Sequence, residues 1–391
     1  MFLQLLATNS IICLSQEVNM AFGRLNYVTL DRIKREHAHY NWLIGQRSNG
    51  KTFACLKEAV ENYALHGKQS AYLRRWKEDF RGTRGQHIFD GVVNAGVVKK
   101  ATSGEWTHIE YYAGQWFFAK WDDEHEKTIN APEPFCYGFA LSEMEHDKST
   151  SYDNINLIIF DEAVSRQGYI VDEFIIFCNV VSTLIRQRGD DGDQRTVIYL
   201  LGNTVNKYCP YFHEMGLDRV DKMRPGDLRV YTYGNSGLKV AVQFTDNLSK
   251  NGKPSDVYFA FNNPKLQMIT GQGQVWELEI YPHCPRKYFK QDIIYSYFID
   301  FNNELLQCDI VCKDDEVFTF IHKKTGKIKF PDEDLVFSLV DSPRLNHRKY
   351  LNQPFDKLGK KIYYFFQINK VFYQDNEIGE LVRNYLMQKG A

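Results

Sequence analysis

Eight consecutive residues, Gly45-Gln46-Arg47-Ser48-Asn49-Gly50-Lys51-Thr52, carry the spacing G-x-x-x-x-G-K-[ST]. The glycines let the backbone turn back so that its N–H groups surround an anion, and a helix that follows adds its partial positive end. In such a loop Lys51 reaches the β- and γ-phosphates, and the Thr52 hydroxyl is a Mg²⁺ ligand. All eight residues are candidate ATP contacts. A second group closes the apolar run Asn156-Leu157-Ile158-Ile159-Phe160, which ends in Asp161-Glu162. An apolar strand ending in two acids has the Walker B form. Asp161 is expected to hold Mg²⁺, and Glu162 to polarise the attacking water as general base. Two solvated acids at a strand end are common, so the upstream phosphate loop is what favours the chemical reading.

Two further residue types complete such a site. Asn203 ends the run Leu200-Leu201-Gly202-Asn203-Thr204, at the tip of the strand expected beside Walker B, where a polar side chain can sense the γ-phosphate. The alternative is an Asn that caps a strand turn. Hydrolysis also needs a cation against the transferring phosphoryl group. Arg186, in Leu184-Ile185-Arg186-Gln187-Arg188, is the first choice for a residue supplied to the neighbouring subunit; Arg188 and Lys148 follow. A basic helix end favoured by the helix dipole alone is the plain alternative for both arginines.

The elements that must position these residues alternate. Tyr40–Ile44 reads as a buried strand before the loop and Phe53–Val60 as a helix after it. Ala71–Trp76 is a second strand, followed by the basic, aromatic cluster Arg74-Arg75-Trp76-Lys77. Residues 86–130 read as a small antiparallel insertion, 172–187 as a helix with an acidic start, and Thr196–Leu201 as another buried strand. Alternating helices and continuously apolar strands imply a parallel sheet covered on both faces. The runs 228–233 and 238–242 form an expected hairpin around Gly234-Asn235-Ser236-Gly237. Beyond residue 283 strands are expected at 298–301, 317–321 and 361–366, with a last helix over 376–388. Lys323, Lys324, Lys327 and Lys329 surround Thr325-Gly326, read as a hairpin turn. These lysines, and a second basic patch of Arg348, Lys349, Lys357, Lys360 and Lys361, could face DNA or the portal, or simply solvate an edge. The division expected is an extension at 1–19, an ATPase domain at 20–243, a linker at 244–282 and a C-terminal domain at 283–391.

Composition excludes little but bounds the rest. The 391 residues are 43% hydrophobic and 15% aromatic, enough for two cores, and the net charge of −1 offers no global attraction to nucleic acid. The eight cysteines form no C-x-x-C pair and read as reduced thiols of a cytosolic protein. The apolar N-terminus lacks a basic start and a cleavage site, and Met20 is an alternative first residue. No run approaches a membrane span.

The order Gly45–Thr52, Tyr72–Lys77, Lys148–Thr150, Ile159–Glu162, Ile185–Arg188, Leu201–Val205 and Pro210-Tyr211-Phe212 resembles the DNA-encapsidation ATPases of small podovirus-type bacteriophages with terminal-protein-capped genomes. The resemblance covers roughly residues 25–215. It implies an α/β P-loop NTPase of the additional-strand, catalytic-glutamate type, followed by a smaller α+β domain of ribonuclease H-like shape with a vestigial nuclease. It implies ATP and Mg²⁺, and a homo-oligomeric ring, most simply a pentamer. That ring would sit in the host cytoplasm on the portal of a prohead and pump double-stranded DNA, with a structural RNA as a further partner in some relatives. Three rival readings stand beside it: a cutting large terminase using acids among Asp292, Asp300, Asp309, Asp314 and Asp315, another ring ATPase on nucleic acid, and a portal-associated protein that binds ATP without turnover.

Overall fold

A computed structural model describes residues 28–47, 49–143, 152–166, 168–185, 196–245, 279–284 and 286–388. The expected extension 1–19, most of the expected linker, and Lys148, Arg186 and Arg188 lie outside the described residues. The chain divides into two compact units. The first takes the described residues of Met1–Val164, Ile175–Thr204 and Lys222–Asn262; the second takes those of Ser165–Phe174, Val205–Asp221 and Asn263–Ala391. Two segments inside the range read as the ATPase domain, 165–174 and 205–221, thus group with the C-terminal residues.

The first unit is built on ten strands: β1 (Tyr40–Gly45), β2 (Gln69–Arg74), β3 (His108–Tyr112), β4 (Gln115–Asp122), β5 (Lys127–Asn130), β6 (Cys136–Ala140), β7 (Ile155–Phe160), β8 (Val197–Asn203), β9 (Leu228–Tyr233) and β10 (Leu238–Phe244). Their order is β3-β4-β6-β2-β7-β8-β1-β10-β9, with β5 beside β4. From β6 to β10 all neighbours are parallel. The phosphate-loop strand β1 and the Walker B strand β7 are not neighbours, because β8 lies between them. This is the additional-strand arrangement expected from the sequence. Trp42, Leu43 and Ile44 of β1 and Ile158, Ile159 and Phe160 of β7 are fully buried, which is why these strands read as continuous apolar runs rather than alternating ones. The helix Lys51–His66 covers the sheet with Cys55, Leu56, Ala59 and Val60. It ends at Gly67, whose φ of 64° suits glycine and whose N–H bonds Tyr63 O.

Residues 86–130 differ from the expected antiparallel insertion. Strands begin only at His108, and Thr83–Ala101 forms short helical turns. Phe89 and Val92, three residues apart, and the adjacent Val97 and Val98 bury on the core from separate short helical turns, which β-branched residues disguise in sequence. The strands also do not stand apart, since β4 pairs antiparallel with β6 and extends the main sheet. The expected hairpin is present as β9 and β10, and β10 then pairs parallel with β1.

The second unit carries β11 (Ile293–Phe301), β12 (Glu304–Lys313), β13 (Glu316–Lys323), β14 (Val336–Ser338), β15 (His347–Arg348) and β16 (Val371–Tyr373), ordered β15-β14-β11-β12-β13-β16. β11, β12 and β13 are antiparallel, and β14 and β15 continue parallel beyond β11. Its core includes Tyr297, Ile299, Leu306, Cys308, Ile321 and Phe337, covered by the helix Asn376–Leu386 through Leu381, Val382 and Tyr385. Two expectations fail here. Thr325-Gly326 is no hairpin turn, because β13 is followed by a crossing to β14, which pairs parallel with β11. Residues 361–366 are not a strand but part of the helix Lys357–Gln367, capped by Asp356 Oδ1 accepting from Gly359 N at 2.6 Å. Ile362 is buried while Lys361 and Tyr364 are exposed, so the aromatic run is divided between faces by helical geometry. None of the seven described cysteines is in a disulfide. Among the described residues no helix is long and apolar enough to cross a membrane.

Candidate nucleotide-binding site

Gly50 sits at the N-cap of Lys51–His66 with φ 89°, and no side chain caps that helix start. A left-handed residue there aims the first-turn amides at whatever fills the loop. The resulting cavity, about 320 Å³, lies in the first unit and is lined by Arg47, Asn49, Gly50, Lys51, Thr52, Phe53, Asp161, Glu162, Leu201, Gly202 and Asn203. Of the loop residues read from the sequence, Gly45 and Gln46 meet this cavity through Lys51, and Ser48 is outside the described residues.

Lys51 Nζ lies 2.7 Å from Gln46 O, 3.1 Å from Gly45 O, 3.1 Å from Asn49 Oδ1 and 3.2 Å from Asn203 Oδ1. Asn203, at the end of β8, therefore touches the loop lysine. Burial pushes the Lys51 ammonium down to about 8, with Asp161 opposing. The Thr52 hydroxyl is 3.3 and 3.4 Å from the two carboxylate oxygens of Asp161. A hydroxyl facing a carboxylate across a polar cavity is a donor set of hard oxygens that fits Mg²⁺.

Two residues whose roles the sequence reading left unassigned complete the acidic side. Tyr72 OH donates to Asp161 Oδ2 at 2.7 Å, and burial, with Asp161 beside it, keeps that phenol protonated. Arg74 spans both acids, with Nη1 3.4 Å from Asp161 Oδ2 and Nη2 3.2 Å from Glu162 Oε2. Tyr72 and Arg74 are two apart on β2, hence on one face, and β2 neighbours β7. That adjacency was the available signal for the Arg-Arg-Trp-Lys cluster. Arg75 is buried and donates to the carbonyls of Glu162 and Ala163, at 3.1 Å each. Glu162 itself has φ 57°, a costly conformation for a non-glycine residue and one concentrated at functional sites. Its carboxylate is more than half exposed.

The carboxylates considered for a nuclease do not gather. Asp309 on β12 is buried and receives bonds from Ser296, Gln307, Tyr288 and His322. Asp292 caps Phe289 N, Asp314 and Asp315 form the β12–β13 turn, and Asp300 on β11 stands opposite Ser338. Among the described residues no three His, Cys, Asp or Glu side chains could together hold a metal ion. The lysines of the two basic patches are largely engaged or solvated; Lys323 pairs with Glu304 and Lys349 with Asp341.

Fold and site together define a P-loop NTPase of the additional-strand type with a catalytic-glutamate position. No protein-family model matches the chain. It is similar to the DNA packaging protein of Bacillus phage B103, 26% identical over 187 residues covering 45% of this chain and 48% of the relative. It is likewise similar to that of Bacillus phage phi29, 24% identical over 181 residues covering 44% and 45%. The matched segment thus spans about half the length of these curated relatives. The solved Phi-28 gp11 DNA packaging motor shares the fold across both units, with a TM-score of 0.53 at 16% identity over 94% of this chain and 99% of that one. The fold is shared with that solved packaging motor.

Proposed function

We propose that this chain is the ATP-hydrolysing subunit of a viral DNA-packaging motor. The observation that carries the reading is the convergence of Lys51, Thr52, Asp161, Glu162 and Asn203 on one cavity at the carboxyl ends of parallel strands, where ligands bind in open α/β sheets. Lys51 and the amides after Gly50 bind the phosphates. Thr52 and Asp161 hold Mg²⁺, which when bound neutralises charge on the transferring phosphoryl group. Glu162 takes a proton from the attacking water as the oxygen bonds to the γ-phosphorus and the bond to the β-bridging oxygen breaks. ADP and phosphate leave.

Glu162 is paired with Arg74 in this structure, so hydrolysis requires it to exchange that partner for water. A neighbouring subunit supplies a further cation to the transferring phosphoryl group, Arg186 first, then Arg188 or Lys148. The second unit, the vestigial-nuclease-like part of the proposal, contacts the portal or the DNA backbone, gripping by charge and without regard to sequence. The motor is a ring, in the proposal a pentamer, attached to the prohead in the host cytoplasm.

The test is ATP hydrolysis with and without double-stranded DNA for wild type, Glu162→Gln, Arg186→Ala and an equimolar mix of the two variants. Loss in each variant with partial recovery in the mix supports composite sites. Undiminished hydrolysis in Glu162→Gln overturns the site.

A further inference from the structure

Immediately after β10, Thr245 stands against the phosphate loop although 200 residues of sequence separate them, approximately, and it belongs to no recognised nucleotide-binding pattern. It is 1% exposed, and Asn49 in the loop is 2% exposed. Thr245 N and Oγ1 both donate to Ile44 O, at 2.7 and 3.0 Å. With its proton so used, the hydroxyl oxygen accepts from Asn49 Nδ2 at 2.5 Å. That bond fixes the amide orientation, since the opposite edge, Oδ1, accepts from Lys51 Nζ at 3.1 Å. Thr245 is also seated on the first loop glycine: a Cβ at Gly45 would collide with its hydroxyl. The chain Ile44 O, Thr245 Oγ1, Asn49 amide, Lys51 Nζ is continuous, buried, and ends on the cation that faces the phosphates.

We infer that Thr245 is a positioning residue of the nucleotide site, acting through Asn49 to aim Lys51; the inference rests on the nucleotide reading above. A hydroxyl is needed because one oxygen must donate to a carbonyl and accept from an amide at once. Valine has the shape without that capacity and strands the Asn49 amide. Serine keeps the capacity.

The test is MgATP binding by titration calorimetry with steady-state hydrolysis, for wild type, Lys51→Ala, Thr245→Val, Thr245→Ser, Asn49→Ala and the Asn49→Ala/Thr245→Val double variant. In Thr245→Val the ATP Kd and KM rise roughly tenfold while kcat stays within about threefold, the size of stranding one buried donor. Thr245→Ser restores affinity. The double variant is no weaker than Asn49→Ala alone, since one interaction is removed twice. Equal losses in Thr245→Val and Thr245→Ser, or additive losses in the double variant, assign the effect to packing and overturn the inference. Unchanged affinity in Thr245→Val overturns it as well, while wild type still binds and Lys51→Ala does not. A wild type that binds no MgATP overturns the nucleotide reading itself and this inference with it.

Discussion

Arg74 Nη2 stands 3.2 Å from Glu162 Oε2, while its Nη1 reaches Asp161. The guanidinium at the tip of β2 therefore holds the two carboxylates, proposed as general base and metal ligand, together. A carboxylate held in that pair is not free to orient water. Because Glu162 is largely exposed, the pair is worth about 1 kcal/mol at most, an occupancy bias of roughly fivefold. Arg74→Gln is expected to raise DNA-independent ATP hydrolysis by about that factor and to shrink stimulation by DNA. Hydrolysis that falls below wild type instead would make Arg74 part of the reacting geometry.

Glu162→Gln keeps the shape and removes the basicity. Loss of general-base assistance costs about 10²- to 10⁴-fold in rate, with nucleotide affinity preserved. Single-turnover hydrolysis beside equilibrium binding separates the two. A parallel loss of affinity would contradict a purely chemical role.

Lys51 gives the site a pH dependence. Burial lowers its ammonium to about 8. Phosphate binding favours the charged form, so below pH 8 the cation is already present and affinity is flat. Above pH 8 binding must also recruit a proton, and affinity falls up to about tenfold per pH unit. Calorimetry from pH 7 to 9.5 checks this. Lys51→Arg, which stays charged, is expected to lose the slope.

In the second unit, Asp309 and His322 are linked at 3.3 Å. The bond to Asp309 raises the His322 imidazole, with burial opposing. Burial alone would raise Asp309, but the bonds from His322, Gln307 and Ser296 outweigh it and hold the carboxyl low. The His322 contribution is complete below its unfolded value near 6.5 and is lost as pH rises through the higher folded value. The Asp309 contribution is complete above 3.8 and is lost as pH falls through the lower folded value. Wild type should therefore exceed His322→Gln in melting temperature most near pH 6, the gap closing toward pH 9. A gap constant from pH 5 to 9 would remove the charge argument.

Asp356 caps the helix Lys357–Gln367 and also receives Arg348 Nε at 3.1 Å. Asp356→Ala is expected to cost about 1 kcal/mol, read as a lowered urea midpoint at unchanged slope. Asp356→Asn, which still caps, should recover most of it.

What the sequence by itself determined are features written in contiguous residues. The phosphate loop needs eight neighbours in order, and the Walker B strand announces itself as an apolar run ending in two acids. The alternation of such runs with helical segments is enough to specify a parallel sheet, and Asn203 was placed by its position at a strand tip. Patterns of burial decided the rest, and these are tertiary. Phe89, Val92, Val97 and Val98 looked like strand residues until helix packing gave them a face. The run Lys361–Phe366 is helical because Asp356 caps it and Ile362 buries in the core, with Tyr363, Phe365 and Phe366 packed partly against it. The Arg74–Glu162 pair, the Tyr72–Asp161 bond and the Thr245–Asn49 bond join residues about 90 to 200 positions apart. Hydrogen bonds depend on ångström-scale distance and direction, and only the ordering of β2 beside β7 and β10 beside β1 brings those atoms within reach.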